Sequence, residues 1–171
     1  FERSLEKLGT DYLDLYLIHW PRPDDLSAEW AELDRGTWRA LEELYHAGRV
    51  RAIGVSNFLP HHLRSLMETA EVAPMVNQIE FHPGYPQTWN VEFCKAHGIL
   101  PEAWSPLGRT RVLDDPFLRE LAAGYGKSVA QLCLRFALQR GVLPLPKSSA
   151  PERMAANLDI FDFTISDADM Y

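Results

Sequence analysis

Five short apolar runs in the sequence each end in polar or aromatic residues whose side chains suit ligand chemistry. A neutral histidine can donate a hydrogen bond to a carbonyl oxygen, and hydroxyl and amide groups can hold a planar carboxamide. An indole ring can stack on a flat heterocycle, and lysine with serine can bind a phosphate. The residues that follow the five runs are His19-Trp20, Ser56-Asn57, Gln78, Trp104-Ser105 and Lys147-Ser148.

Three of these residues also have purely structural interpretations, which the sequence leaves open. His19 is either a hydrogen-bond donor to a substrate or a core histidine bonded to a backbone carbonyl. Asn57 precedes the helix that Pro60 opens, so its side chain could instead cap that helix. Trp104 could fill the core and not bind a ligand.

Two further segments have the composition of anion sites. Lys147 and Ser148 precede a helix predicted to begin near Pro151, and Arg153 lies in its first turn. The helix macrodipole disfavours two cations at a helix N-terminus unless an anion joins them, so this segment suits a monoester phosphate. The loop at 106–111 has backbone N–H groups and two arginines that could meet a pyrophosphate, or it is a solvated surface loop.

A metal centre is the alternative interpretation of the strand ends. His19, Glu80, His82 and Glu102 all fall near the ends of apolar runs, as ligands do in metal-dependent hydrolases. However, His82 runs directly into a proline-glycine pair and the sequence has no His-x-His motif. We therefore expect no metal.

The elements that must position these residues are predicted from hydrophobic periodicity. Short apolar runs alternate with helical patterns and no hairpin signal separates them, which predicts parallel strands with helical crossovers. Successive runs begin about 32 residues apart, so eight units would need about 258 residues, near the ~250 of a (β/α)₈ barrel. A doubly wound sheet is less consistent, because no G-x-G-x-x-G motif is present. We expect an α/β fold with about five of the eight units of a (β/α)₈ TIM barrel, its strands at 13–18, 51–55, 75–79, 99–103 and 142–145.

Composition excludes several classes of protein. The 171 residues are 46% hydrophobic and 24% charged, with a net charge of −7. An acidic chain lacks the basic face that nucleic-acid binders need, so we expect no nucleic-acid partner. No apolar run approaches the ~18 residues that span a bilayer, and no secretory leader is visible.

Cys94 and Cys133 lie in helical patterns, which predicts packed, reduced thiols in a cytoplasmic protein.

Both ends of the sequence interrupt a pattern. Phe1, Leu5 and Leu8 form an amphipathic stripe that is already under way at the first residue. Ser166 resembles a helix N-cap, with Asp169 three residues later, although little chain follows it. We expect residues 1–171 to form a single domain that is incomplete at both ends.

Four segments together resemble the aldo-keto reductases, in the order and at the spacing of that family. They are LDLYLIHWP at 13–21, GVSNF at 54–58, NQIEFHP at 77–83 and PKS at 146–148. Within the family, the segment AWSPLG at 103–108 looks most like bacterial 2,5-diketo-D-gluconate reductases. The resemblance implies a (β/α)₈ barrel that uses NADPH to reduce small aldehydes or ketones to alcohols.

The resemblance also implies roles for individual residues. His19 matches the histidine that orients the substrate carbonyl, and Trp20 would line the substrate pocket. The cofactor contacts implied are Ser56, Asn57 and Gln78 for the nicotinamide carboxamide, Trp104 for the nicotinamide ring, Ser105, Leu107 and Gly108 for the pyrophosphate, Lys147, Ser148 and Arg153 for the adenosine 2′-phosphate, and Asn157 for the adenine.

The family's catalytic Asp, Tyr and Lys belong to strands that precede the region matched here. Tyr12, Tyr16 and Tyr45 do not occupy the position of the proton-donating tyrosine. We therefore expect the full-length protein to be a monomeric NADPH-dependent reductase and this chain alone to lack normal turnover. The alternative is a catalytically silent NADP(H)-binding protein.

Overall fold

The computed structural model describes residues 1–21 and 29–170, in which strands and helices alternate. The five strands form one sheet in chain order, and β1 with β2, β2 with β3, and β4 with β5 pair in parallel. Parallel neighbours joined through helices are the βα units that the spacing predicts. The strands are β1 (Leu13–Ile18), β2 (Val50–Ser56), β3 (Val76–Glu80), β4 (Leu100–Trp104) and β5 (Leu143–Pro144).

Seven α-helices and two 3₁₀ helices lie within the described residues. Their ends follow local signals, since α5 begins at Pro116 after the Asp115 cap and α6 begins after the Ser128 cap. The α-helices are α1 (Glu2–Leu8), α2 (Trp30–His46), α3 (Pro60–Met67), α4 (Thr88–Ala96), α5 (Pro116–Gly124), α6 (Val129–Gln139) and α7 (Pro151–Leu158), and the 3₁₀ helices are Gly108–Asp114 and Asp167–Met170. None of these helices is long and apolar enough to cross a membrane.

The chain packs as two compact units. The first contains Phe1–Gln78 and Glu92–Leu100, and the second contains Ile79–Val91 and the residues from Pro101 onward. Each unit has its own apolar core, because helices cover the strands with leucine, isoleucine and aromatic side chains. Trp38, Phe58 and Leu63 are fully buried in the first core, and Phe81 stacks on Phe136 at 5.6 Å between ring centroids in the second.

Strand β2 can be approached closely by its neighbours because residue 54 is glycine. A Cβ at Gly54 would lie 2.6 Å from the Val76 carbonyl oxygen on β3 and 2.8 Å from Leu17 Cδ2 on β1. Carbon and oxygen atoms do not approach so closely, so no larger residue fits without moving a strand. Gly54 therefore permits the tight spacing of the three strands directly below Ser56.

Cys94 and Cys133 are buried thiols that form no disulfide within the described residues, as the sequence predicts. Burial raises the pKa of Cys94, and burial also raises the pKa of Cys133 to about 12. Thiols with raised pKa values are poor nucleophiles, so both cysteines serve packing.

Candidate functional site

The ends of β1, β2 and β3 in the first unit bring four predicted site residues together. The Gln78 carbonyl accepts hydrogen bonds from the Asn57 backbone N–H at 2.9 Å and from Ser56 Oγ at 2.7 Å. Asn57 Nδ2 donates to the His19 carbonyl at 2.9 Å and to Ser56 Oγ at 3.2 Å. These bonds connect Ser56 and Asn57 to the backbone carbonyls of His19 and Gln78, so they tie together three neighbouring strands where β1 and β2 end.

Asn57 connects strands and does not cap a helix. Its φ of 63° lies in the left-handed region, which asparagine tolerates better than most residues. Helix α3 begins one residue after its N-cap, Leu59, whose backbone N–H donates to His62 Nδ1 at 3.1 Å. The capping interpretation of Asn57 is therefore wrong, because its side-chain amide is directed to β1.

His19 presents its side chain at the surface of the first unit. The residue is exposed, and its ring lies 6.4 Å from that of Trp20, which is 60% exposed. The core-histidine interpretation is inconsistent with this exposure. An exposed imidazole anchored through its backbone carbonyl can donate a hydrogen bond to a substrate oxygen.

The loop after β4 in the second unit has a left-handed backbone at four positions. They are Ser105 (φ 48°), Gly108 (φ 54°), Arg109 (φ 54°) and Thr110 (φ 74°). For the three non-glycine residues this conformation costs of order 1 kcal/mol each or more, and such strain tends to accumulate at functional sites. At Gly108 a Cβ would also lie 3.0 Å from Val112 Cγ1, so a larger residue there would have to displace the Val112 side chain.

Several groups in this loop are not available in the way the sequence predicts. The Gly108 N–H donates to the Ser105 carbonyl and the Thr110 N–H donates to the Leu107 carbonyl, each at 2.8 Å. The Arg111 side chain donates to the Gly108 carbonyl at 3.2 Å. The expectation that these amides are free is wrong, because the turns of the loop use them internally. Leu107 is partly buried and packs on the core of the second unit.

Trp104 and Arg109 form a contact that sequence analysis did not identify. Trp104 is half-buried, and the Arg109 guanidinium lies 5.6 Å from the centroid of its ring, within cation–π range. The interaction leaves the guanidinium beside the aromatic surface that the sequence predicts to bind a heterocycle.

His82 is a buried residue beneath the same loop. It is 8% exposed, and Nδ1 has no hydrogen-bond partner within the described residues. A Cβ built at Gly108 would lie 3.5 Å from His82 Cε1, so the imidazole packs directly under the loop. Burial lowers the pKa of His82, whereas the Glu80 carboxylate, 3.7 Å from Nε2, acts in the opposite direction.

The described part of the chain contains no group of three or more His, Cys, Asp or Glu that could hold a metal ion.

Two exposed cations lie near the start of α7, Lys147 before the helix and Arg153 in its first turn. The side chains of Lys147 and Arg153 make no hydrogen bond or ion pair with any residue that the structure describes. Ser148 Oγ accepts from the Ala150 N–H at 3.2 Å, which shapes the turn into the helix. Asn157 lies on α7 and is half-buried. Two unpaired cations beside a helix N-terminus attract an anion, as the sequence predicts for this segment.

Asn77, on β3 beside Gln78, was also not identified from the sequence. A polar residue within a buried strand is the signal that was available, because packing alone favours an apolar side chain there. Its contacts are described below.

Comparisons with known proteins identify similar chains. The model of the Aldo/keto reductase family matches residues 1–171. Glyoxal reductase of Bacillus subtilis is 52% identical over 170 residues, covering 99% of this chain and 59% of that protein. The chain thus spans about three-fifths of the length of this relative.

Solved structures give the same result. An aldo/keto reductase from Brucella melitensis superposes with a TM-score of 0.89 at 48% identity, over 99% of this chain and 63% of that one. An aldo-keto reductase from Bombyx mori in complex with NADP superposes with a TM-score of 0.86 at 38% identity, over 99% and 59% respectively. These neighbours are (β/α)₈ barrels, so the predicted fold class is confirmed. The chain belongs to the aldo/keto reductase family.

Proposed function

We propose that this chain carries the cofactor-binding and carbonyl-orienting residues of an NADPH-dependent reductase that converts aldehydes or ketones to alcohols. The observation that carries the proposal is the hydrogen-bonded cluster in which Ser56 and Asn57 bond to each other and to the backbone carbonyls of His19 and Gln78, across three neighbouring strands. NADPH supplies the hydride when it is bound. NADP-bound Bombyx mori aldo-keto reductase, at 38% identity, supports the choice of cofactor.

The uncharged polar groups of the first unit suit a nicotinamide carboxamide. Ser56, Asn57 and Gln78 carry only uncharged donors and acceptors, which match a planar amide. The Ser56 hydroxyl hydrogen and both Nδ2 hydrogens of Asn57 are donated within the cluster, so these two residues would meet the carboxamide NH2 through their oxygen atoms. The same bonds hold Ser56 and Asn57 in place, so little freedom is lost on binding. In the proposal these three residues orient the nicotinamide ring.

Residues of the second unit are proposed for the other cofactor contacts. Trp104 offers an aromatic face for the nicotinamide ring, and Ser105, Leu107 and Gly108 are proposed to line the pyrophosphate. The unpaired cations Lys147 and Arg153, with Ser148, would bind the 2′-phosphate, which selects NADPH over NADH. Asn157 is proposed to contact the adenine.

His19 would donate a hydrogen bond to the substrate carbonyl oxygen, with Trp20 lining the substrate pocket. A donor at this oxygen stabilises the negative charge that develops there as the hydride arrives. The substrate class is a small carbonyl compound, and the similarity to glyoxal reductase makes dicarbonyl compounds the first to test.

The alkoxide must also receive a proton, and no tyrosine described above is placed to donate it. By resemblance, the acid is a tyrosine tuned by Lys and Asp on other strands. We therefore propose that the 171-residue chain binds NADPH with little turnover, whereas a polypeptide of the relatives' length turns over as a monomer.

The phosphate assignment can be tested by measuring dissociation constants of NADPH and NADH from the fluorescence of bound nicotinamide. Lys147→Ala should weaken NADPH binding about 10- to 100-fold, as expected for the loss of a charged hydrogen bond, and leave NADH binding unchanged. Lys7→Ala, which removes an exposed lysine from α1, is the matched control. Equal weakening of both cofactors would contradict the assignment.

Activity is tested by NADPH oxidation with a panel of small aldehydes and dicarbonyls. The panel is applied to this chain and to a polypeptide of the relatives' length. If the longer polypeptide binds NADPH without turnover, the reductase proposal fails and the silent NADP(H)-binding protein replaces it. If this chain binds no NADPH, the cofactor assignment fails as well.

A further inference from the structure

We infer that Asn77 is a positioning residue that fixes the Ser56–Asn57–Phe58 turn, and through it the groups that hold the nicotinamide carboxamide. The inference rests on the proposed function. It adds a residue whose side chain donates a hydrogen bond to the Phe58 carbonyl, at the end of that turn.

Asn77 makes its contacts in the interior of the first unit. The residue is 0% exposed, and Nδ2 donates to the Phe58 carbonyl at 2.9 Å and to Cys94 Sγ on α4 at 3.5 Å. Successive side chains of a strand point to opposite faces, so Gln78 and Asn77 lie on different sides of β3. The Phe58 carbonyl comes one residue after Asn57, and Asn77 therefore fixes the backbone just beyond the left-handed residue.

The turn needs this second point of attachment. The parallel pairing of β2 with β3 ends at Ser56, opposite Gln78, and the Asn57 N–H to the Gln78 carbonyl is the next bond along. Beyond it the backbone reverses through the φ of 63° at Asn57, a conformation that persists only when neighbouring groups enforce it. The Gln78 carbonyl holds the turn at the Asn57 N–H, and the Asn77 side chain holds it at the Phe58 carbonyl.

Packing alone does not call for an amide at residue 77. Burying a polar side chain is unfavourable unless its groups are bonded, and Asn77 Oδ1 has no partner within the described residues. A leucine has a similar branched outline, with two methyl groups in place of Oδ1 and Nδ2, and it would suit the apolar neighbours. The donor on Nδ2 is the property that leucine lacks, which assigns the role of Asn77 to the bond with Phe58.

The test measures two ligands on the intact chain and its Asn77→Leu and Asn77→Ala variants. NADPH requires the nicotinamide contacts, whereas adenosine 2′,5′-bisphosphate carries only the adenosine and the 2′-phosphate. Because an angstrom of misplacement can cost about 100-fold, we expect NADPH to bind at least tenfold more weakly to both variants. The dissociation constant of the bisphosphate should stay within about twofold of wild type, as for groups remote from the change.

The ratio of the two dissociation constants separates positioning from a general loss of structure. An unfolded fraction lowers the apparent affinity for both ligands by the same factor, so the ratio reports on the turn alone. Cys94→Ala, which removes the other partner of Nδ2, is the matched control and should leave the ratio unchanged.

Each remaining outcome has a definite meaning. An unchanged ratio in the two Asn77 variants overturns the inference, and so does a parallel loss of both ligands, which would mark Asn77 as needed only for folding. A wild-type chain that binds the bisphosphate but not NADPH refutes the proposed function instead. The two failures are therefore distinguishable.

Discussion

Replacing Gly54 with alanine tests whether strand spacing supports the candidate site. The added methyl group would lie 2.6 Å from the Val76 carbonyl oxygen and 2.8 Å from Leu17 Cδ2. The leucine methyl can rotate away, but the carbonyl belongs to the backbone of β3. The substitution therefore has to separate β2 from β3 at the level just below Ser56.

The expected cost follows from this geometry. Carbon–oxygen contacts in sheets are about 3.3–3.6 Å, so the strands must separate by roughly 0.7 Å or more. Overpacking of this kind costs about 1–3 kcal/mol. In a chain of this size each kcal/mol lowers the melting temperature by about 2–4 °C. We expect Gly54→Ala to lower the melting temperature by several degrees and to weaken NADPH binding.

The assay is urea unfolding followed by tryptophan fluorescence, with Gly36→Ala as the matched control. Gly36 lies inside α2, where, among the described residues, a Cβ would meet only Arg39 Nη2 at 3.8 Å. The same chemical change there should stabilise the helix by about 0.5–1 kcal/mol. The reasoning is refuted if Gly54→Ala unfolds at the wild-type urea concentration, or if the two variants shift in the same direction.

Three further predictions concern stability. Glu42→Ala should cost about 2–4 kcal/mol in urea unfolding, because the buried carboxylate accepts from the Glu71 and Val72 N–H groups at 2.7 and 2.9 Å; a variant as stable as wild type would contradict this. Ser128→Ala should cost about 1 kcal/mol by the same assay, since its hydroxyl caps α6, and an unchanged urea midpoint would argue against the cap. Hydrogen bonds from Tyr125 and Ser166 hold the pKa of Asp169 below its usual range. These bonds therefore stabilise the folded state fully above about pH 4, and their contribution is lost as the pH falls through the lowered pKa of the folded state. Tyr125→Phe raises the folded pKa toward normal, so its urea midpoint should fall less than that of wild type between pH 6 and pH 3; equal falls would exclude this bond as the cause.

The order of the elements could be predicted because their signals are local. The predicted strand at 13–18 coincides with β1, and the next three strands lie within one residue of their predicted bounds at each end. The predicted strand at 142–145 shortens to two residues in β5, where the prolines at 144 and 146 have no N–H to donate.

Hydrogen-bond partners were harder to predict, because they are set by residues distant in sequence. Asn57 lies 38 residues from His19, and nothing in the sequence nearby distinguishes bonding to that carbonyl from capping α3. The loop amides at Gly108 and Thr110 are used internally only because Arg109 and its neighbours adopt left-handed conformations. The roles of the predicted site residues in binding remain predictions.

The Gln78 carbonyl has a consequence for protein engineering. It accepts from Ser56 Oγ and from the Asn57 N–H, and it is a backbone atom that every amino acid possesses. A library of side chains can therefore be introduced at position 78 without removing the acceptor that holds the adjacent turn. Position 56 offers no such freedom, since its hydroxyl is itself one of the two donors.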